Sequence, residues 1–76
     1  MKTLVEYIVK ALVDDPDQIM IAERTGRNTK IIELAVAKED IGKVIGKEGR
    51  TINAIRTILN AAGASQKKRV VLEVMG

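Results

Sequence analysis

The chain has no cysteine, no histidine, no phenylalanine and no tryptophan among its 76 residues. Without cysteine there are no disulfides and no thiolate metal sites. Without histidine the chain lacks the commonest metal ligand and the usual general base near neutral pH. The remaining carboxylates, lysines and Tyr7 form no recognisable catalytic pair, so the expected function is not enzymatic and needs no metal or cofactor. A single aromatic residue cannot supply the stacking platform on which an RRM or an OB-fold holds bases. Long apolar runs are missing too. Glu6, Lys10, Asp14 and Asp15 break up the amino-terminal apolar residues, so neither a signal peptide nor a membrane span is expected. The expected location is cytoplasmic.

Apolar residues make up 46% of the chain. That suffices for one core, and residues 1–76 read as a single domain near the lower size limit for independent folding. The net charge is +3. Its distribution is uneven. Residues 1–37 hold five basic and six acidic side chains, whereas residues 38–76 hold eight basic and four acidic ones. A positive field on the second half points to a polyanionic partner.

Periodicity divides the chain into six elements. Leu4, Val5, Ile8, Val9 and Leu12 fall on one face of a helix over residues 4–13. Thr3 and Glu6 fit a capping box at its start, and Asp14-Asp15-Pro16 ends it. Tyr7 reads as a packing residue at the edge of that face. Ile19 to Ala22 reads as a strand. Thr25-Gly26-Arg27-Asn28 is a turn in which Gly26 and Asn28 can take positive φ. A second strand over residues 29–37 directs Ile32, Leu34 and Val36 to one face, and the short turn makes the pair antiparallel. Lys38-Glu39-Asp40 opens a short helix with acids suited to its amino terminus. Gly42 reads as a packing site for a small residue or a weak point in that helix, and Gly46 ends it. A longer helix follows Gly49 to about Ala62, with Ile52, Ile55, Ile58, Leu59 and Ala62 inward and Gly63 as its stop. Asn53, Arg56, Thr57 and Asn60 lie elsewhere around that helix. A last strand runs from Arg69 to Met75, with Val70, Leu72 and Val74 on one face. The two-helix crossover makes the second and third strands parallel.

Gly46-Lys47-Glu48-Gly49 therefore joins two helices. Glycines let a phosphate approach the backbone, and the amides opening the next helix carry partial positive charge. Lys47 and Arg50 add cations, and Arg50 can bind phosphate through two parallel bonds. Lys43, one turn earlier, extends the basic track. Glu48 opposes phosphate and is expected to face solvent or pair with a neighbouring base. Gly42 to Glu48 lacks the spacing and the Ser/Thr of a nucleoside-triphosphate loop, and Val44 stands where a dinucleotide fingerprint needs glycine. Aspartates in place of Gly46 and Gly49 are expected to abolish anion binding and leave the fold intact.

Val44-Ile45-Gly46-Lys47-Glu48-Gly49-Arg50-Thr51-Ile52 resembles the Ile-Gly-x-x-Gly-x-x-Ile signature of KH domains. The run from Asp40 to Arg50, followed by Ala54-Ile55-Arg56, resembles the small stand-alone KH proteins of the bacterial KhpA family. The opening Leu4 to Val13 with Asp15-Pro16 resembles that family's first helix. The resemblance implies an α+β fold of KH type II, with a three-stranded mixed sheet and three helices on one face in the order αββααβ. It implies single-stranded RNA as ligand, clamped by Gly46, Lys47, Glu48 and Gly49 over about four nucleotides. Val44, Ile45 and Ile52 would build the groove floor, with Val36 opposite. Lys43, Arg50, Asn53 and Arg56 complete the expected RNA-binding set. The family's known roles imply an RNA chaperone or post-transcriptional regulator. They also imply a homodimer, a heteromer with a larger Jag-type KH-containing protein, and effects on cell elongation and wall homeostasis.

An alternative is a dimerising interaction subunit whose RNA contacts are secondary. Ile31, Ala35, Val71 and Met75 alternate with the inward strand residues, and an apolar patch on the outer sheet face would suit a partner.

Overall fold

The computed structural model describes residues 1–75. Its elements are α1 (Lys2–Lys10), β1 (Met20–Thr25), β2 (Thr29–Ala35), α2 (Ile41–Ile45), α3 (Arg50–Ala64) and β3 (Arg69–Met75). The fold is α+β, with a three-stranded mixed sheet in the order β1-β2-β3. β1 and β2 are antiparallel, with Met20 opposite Ala35 and Thr25 opposite Lys30. β2 and β3 are parallel, with Thr29 opposite Arg69 and Ala35 opposite Met75.

The core lies between the sheet and the helices. Ile32, Leu34, Val70 and Leu72 pack with Val5 and Val9 of α1 and with Ile52, Ile55 and Leu59 of α3. Val36 and Val44 complete it. Side-chain alternation along β2 and β3 puts Ile32, Leu34, Val70 and Leu72 on this face, as their period of two requires.

Several boundaries differ from the sequence expectation. Helix α1 begins earlier, because Val5 N donates to Met1 O at 3.0 Å and Met1 itself packs against the core. Thr3 is then inside the first turn, and no side chain caps the helix, so the Thr3–Glu6 capping box does not form. Tyr7 points away from the core and is 78% exposed. Strand β1 continues past Ala22, because Glu23 and Arg24 find ion partners on β2. Glu23 pairs with Lys30 at 3.1 Å and Arg24 with Glu33 at 3.3 Å. Neither Gly26 nor Asn28 takes positive φ; Gly26 N donates to Thr29 O to close the hairpin. Strand β2 ends at Ala35, opposite the end of β3, while Val36 remains buried beyond it.

Two corrections concern α3. Its buried face is narrower than expected. Ile52, Ile55, Leu59 and Gly63 are buried, whereas Ile58 is 48% exposed and Ala62 is exposed. Gly63 does not stop the helix. A Cβ there would lie 2.7 Å from Val70 Cγ2 and 3.0 Å from Lys68 O, so this glycine permits close packing of helix on strand. Lys67 makes the stop in a left-handed conformation at φ 56°, and Lys68 N returns to Gly63 O.

Candidate nucleic-acid interface

The chain reaches the loop through a tight turn, Lys38–Asp40, and the five-residue helix α2. Val44 anchors α2 in the core, and Ile45 is half-buried beside it. Gly46 N closes the helix onto Gly42 O at 2.8 Å. Gly46 then turns to φ 77°, ψ 171°. A Cβ on it would lie 2.2 Å from Thr51 Oγ1 and 2.8 Å from Thr51 N. This glycine lets the first turn of α3 fold back against the loop.

Gly49 has a different task. It caps α3 in a left-handed conformation at φ 76°, ψ 13°, and its N–H donates to Gly46 O at 3.1 Å. A Cβ there would meet only ordinary contacts, the nearest being Asn53 Nδ2 at 3.7 Å. Glu48 also sits in left-handed space, at φ 56°, ψ 24°. For a residue with a Cβ that conformation costs roughly 1–2 kcal/mol.

The loop presents Lys47, Glu48 and Arg50 to solvent. Arg50 Nη2 lies 3.9 Å from Glu48 Oε2, with both side chains well exposed, so the pair is loose and screened. No side chain caps the first turn of α3. The Arg50 amide is taken by Lys47 O, so what the loop offers a phosphate is the partial positive charge of the helix start with two exposed cations, Lys47 and Arg50, next to it in the chain.

Lys43 is placed differently from the expected basic track. Its ammonium bonds the Asp14 carboxylate and lies 3.4 Å from Asp40 Oδ1. The Asp14 hydrogen bond raises the Lys43 pKa against the opposing effect of burial, and Asp40 adds to the rise. Asp40 is only 1% exposed. It does not serve as a first-turn acid facing solvent. Its two carboxylate oxygens accept the backbone N–H of Asp14 at 3.2 Å and of Asp15 at 3.1 Å. Burial pushes its pKa up, but these bonds and Lys43 outweigh burial and hold it below the ordinary value of 3.8.

Along α3, Asn53, Arg56 and Asn60 form one polar stripe at i, i+3 and i+7. Arg56 Nη1 donates to Asn53 Oδ1 at 3.3 Å and Nη2 to Leu72 O at 3.2 Å. Asn60 Oδ1 accepts Val70 N–H at 3.1 Å. The stripe therefore runs along the free edge of β3. A shallow groove of roughly 300 Å³ lies there, lined by Arg56, Asn60, Arg69 and Leu72 among others. Sequence reasoning reached Asn53 and Arg56 but not Asn60 or the β3 edge. The α3 spacing could have suggested Asn60, whereas nothing local pairs it with Val70.

Val36, Val44 and Ile52 are buried in the core. They support the loop from beneath and offer almost no surface to a ligand, which leaves Ile45 as the accessible apolar residue of the expected floor.

The outer sheet face is open and mixed, its apolar residues standing among Arg24, Glu33 and Glu73, of which Arg24 and Glu33 pair. Ile31, Ala35 and Val71 are half-exposed, Met75 is 49% exposed, and Met20, opposite Ala35, is 72% exposed. Among the described residues, no cluster of three metal-ligating side chains occurs and no helix is long and apolar enough to cross a membrane.

A family model described as KhpA/KhpB, KH domain, matches residues 2–74. The chain belongs to the KhpA/KhpB KH-domain family. RNA-binding protein KhpA of Clostridium acetobutylicum is 53% identical over 75 residues, which cover 99% of this chain and 100% of that protein. RNA-binding protein KhpA of Chlamydia pneumoniae is 55% identical over 99% of this chain and 96% of its own length. The Halalkalibacterium halodurans protein of the same name is 49% identical over 99% of each. No solved structure matches the chain. The KhpA/KhpB match includes the whole of the loop and both helices that carry it.

Proposed function

We propose that the chain binds single-stranded RNA through the backbone clamp at Gly46–Gly49, without catalysis. One observation carries the reading. Two glycines at positive φ flank the turn that leads into a 15-residue helix with no side-chain cap, and Lys47 and Arg50 are exposed at that turn. The relatives' shared name, RNA-binding protein KhpA, supports RNA as the polyanion. The polar stripe of Asn53 and Arg56 supports a path for the strand away from the loop and along the β3 edge. With one loop copy and an acid inside it, affinity is modest, and a second module would raise it through effective concentration. That fits a role as RNA chaperone or post-transcriptional regulator that works as a homodimer or beside a larger Jag-type KH protein, with downstream effects on cell elongation and wall homeostasis.

The test is the affinity of the wild type and of Lys47→Met and Arg50→Met for a single-stranded RNA 12-mer of random sequence, across a salt series. Each variant is expected to weaken binding and to reduce the slope of log K against log salt by about 0.7, the share of one phosphate contact on a single strand. Unchanged affinity and slope in both folded variants would reject the clamp.

The exposed Met20 and Met75 side chains favour a second reading, in which the outer sheet face receives a protein partner and RNA contacts are secondary. Sedimentation over a wide concentration range tests self-association. A monomer throughout would count against the homodimer.

A further inference from the structure

We propose that Lys43 is a positioning residue. By bridging Asp14 and Asp40 it ties α2, and with it the Gly46–Gly49 loop, to the connection between α1 and β1. The proposal deepens the RNA-binding reading and rests on it for one of its two tests.

Helix α2 has five residues, too few to be stable alone. It also contains Gly42, where a Cβ would meet nothing within 4 Å, so that position adds flexibility without packing. Val44 is the fully buried residue of α2, with Ile41 and Ile45 half-buried against the core. The second tether lies at its start. There Asp40 accepts the N–H groups of Asp14 and Asp15, and Lys43 reaches over both carboxylates. These contacts join segments 25 to 29 residues apart. Lys43 differs in this from Lys47, for which no ion pair occurs among the described residues, and from Arg50, whose link to Glu48 is loose. Drawing Lys43 onto a phosphate would strip the buried Asp40 of its counter-charge.

Contact and positioning roles make opposite predictions for Asp14. If Lys43 were an RNA contact, Asp14→Asn would release it and remove a nearby negative charge, and binding would tighten. If Lys43 positions the loop, the same change loosens it. Asp14 is exposed, so the variant keeps its fold.

The first test measures affinity for a random single-stranded RNA 12-mer across a salt series. Asp14→Asn and Lys43→Met are each expected to weaken binding about two- to fivefold with the salt slope unchanged, and Lys43→Arg to restore it. Tighter binding by Asp14→Asn, or a Lys43→Met slope reduced by about 0.7 as in Lys47→Met, would overturn the proposal. Unchanged affinity in both folded variants would also overturn it. The second test needs no RNA. Hydrogen exchange at the Gly46 amide, which bonds Gly42 O, is expected to quicken in both variants while Ile55 and Leu59 of α3 keep their protection. Unchanged exchange at Gly46 would overturn the tether. If the wild type binds no RNA, the RNA reading fails, and the exchange test still decides the tether.

Discussion

Gly46 and Thr51 approach so closely that a Cβ on the glycine would overlap the threonine hydroxyl at 2.2 Å and crowd its backbone nitrogen at 2.8 Å. The hydroxyl can swing aside; the nitrogen, fixed in the first turn of α3, cannot. Gly46 is therefore a requirement of the fold as well as of the site. Replacing Gly46 and Gly49 together by aspartate does not test binding alone, contrary to the sequence expectation, because the first change disturbs the loop itself.

Gly46→Ala should cost about 2 kcal/mol or more through crowding and positive φ together. Gly49→Ala, which has room for its Cβ, should cost only the conformational part, about 1–2 kcal/mol. Urea denaturation of both variants measures the contrast, and equal losses would show that the Thr51 contact yields easily.

Glu48 holds two penalties at once, a left-handed backbone and a negative charge beside the expected phosphate. Glu48→Gly should stabilise the domain by up to about 1 kcal/mol and tighten RNA binding. Glu48→Gln separates the effects: affinity should rise while stability stays nearly constant. Titration with single-stranded RNA and urea denaturation on both variants provide the check.

Two further glycines should respond in opposite directions. Gly42→Ala places its Cβ in open space on a helix and should add about 0.5–1 kcal/mol. Gly63→Ala drives its Cβ into Val70 and Lys68 and should remove about 1–3 kcal/mol. Thermal melts of the two variants suffice to test this.

The Asp40 joint gives the fold an acid limb. Its carboxyl pKa is lowered from 3.8, so its contribution is present above that value and is lost as pH falls through the lower folded value. Lys43 runs the other way: its pKa is raised from 10.5, and its contribution is lost only as pH climbs past that range. Unfolding midpoints from pH 6 down to pH 2 should fall for the wild type and converge on those of Asp40→Asn. Asp14, which faces the same ammonium, is controlled by the Asp14→Asn variant. Parallel curves for wild type and Asp40→Asn would show that Asp40 carries no acid sensitivity.

Much of the architecture was legible because local pattern and global fold agree. The alternation of Ile32, Leu34 and Val36, the period of Ile52, Ile55 and Leu59, and the break at Gly46 each mark an element without reference to the rest. What escaped the sequence depends on partners distant along the chain. Nothing in the apolar run from Ile19 to Ala22 carries the strand on to Glu23 and Arg24, which are held by Lys30 and Glu33 diagonally across on β2. Gly63 looks like a helix stop until Val70 crosses it. Lys43 looks like part of a basic track until Asp14 and Asp40 claim it. The loop's cations, Lys47 and Arg50, were legible because their setting is local. The side chains expected to floor the groove, Val36, Val44 and Ile52, have the right chemistry and lie too deep for contact.

The most direct measurement is the map of backbone amide shifts when single-stranded RNA is titrated into the labelled protein. The clamp predicts that the largest shifts fall on Gly46 to Arg50, with smaller ones along Asn53 and Arg56, and little change at Ile31, Ala35 and Val71 on the outer sheet face. Shifts concentrated on that outer face, with the loop amides unmoved, would contradict it.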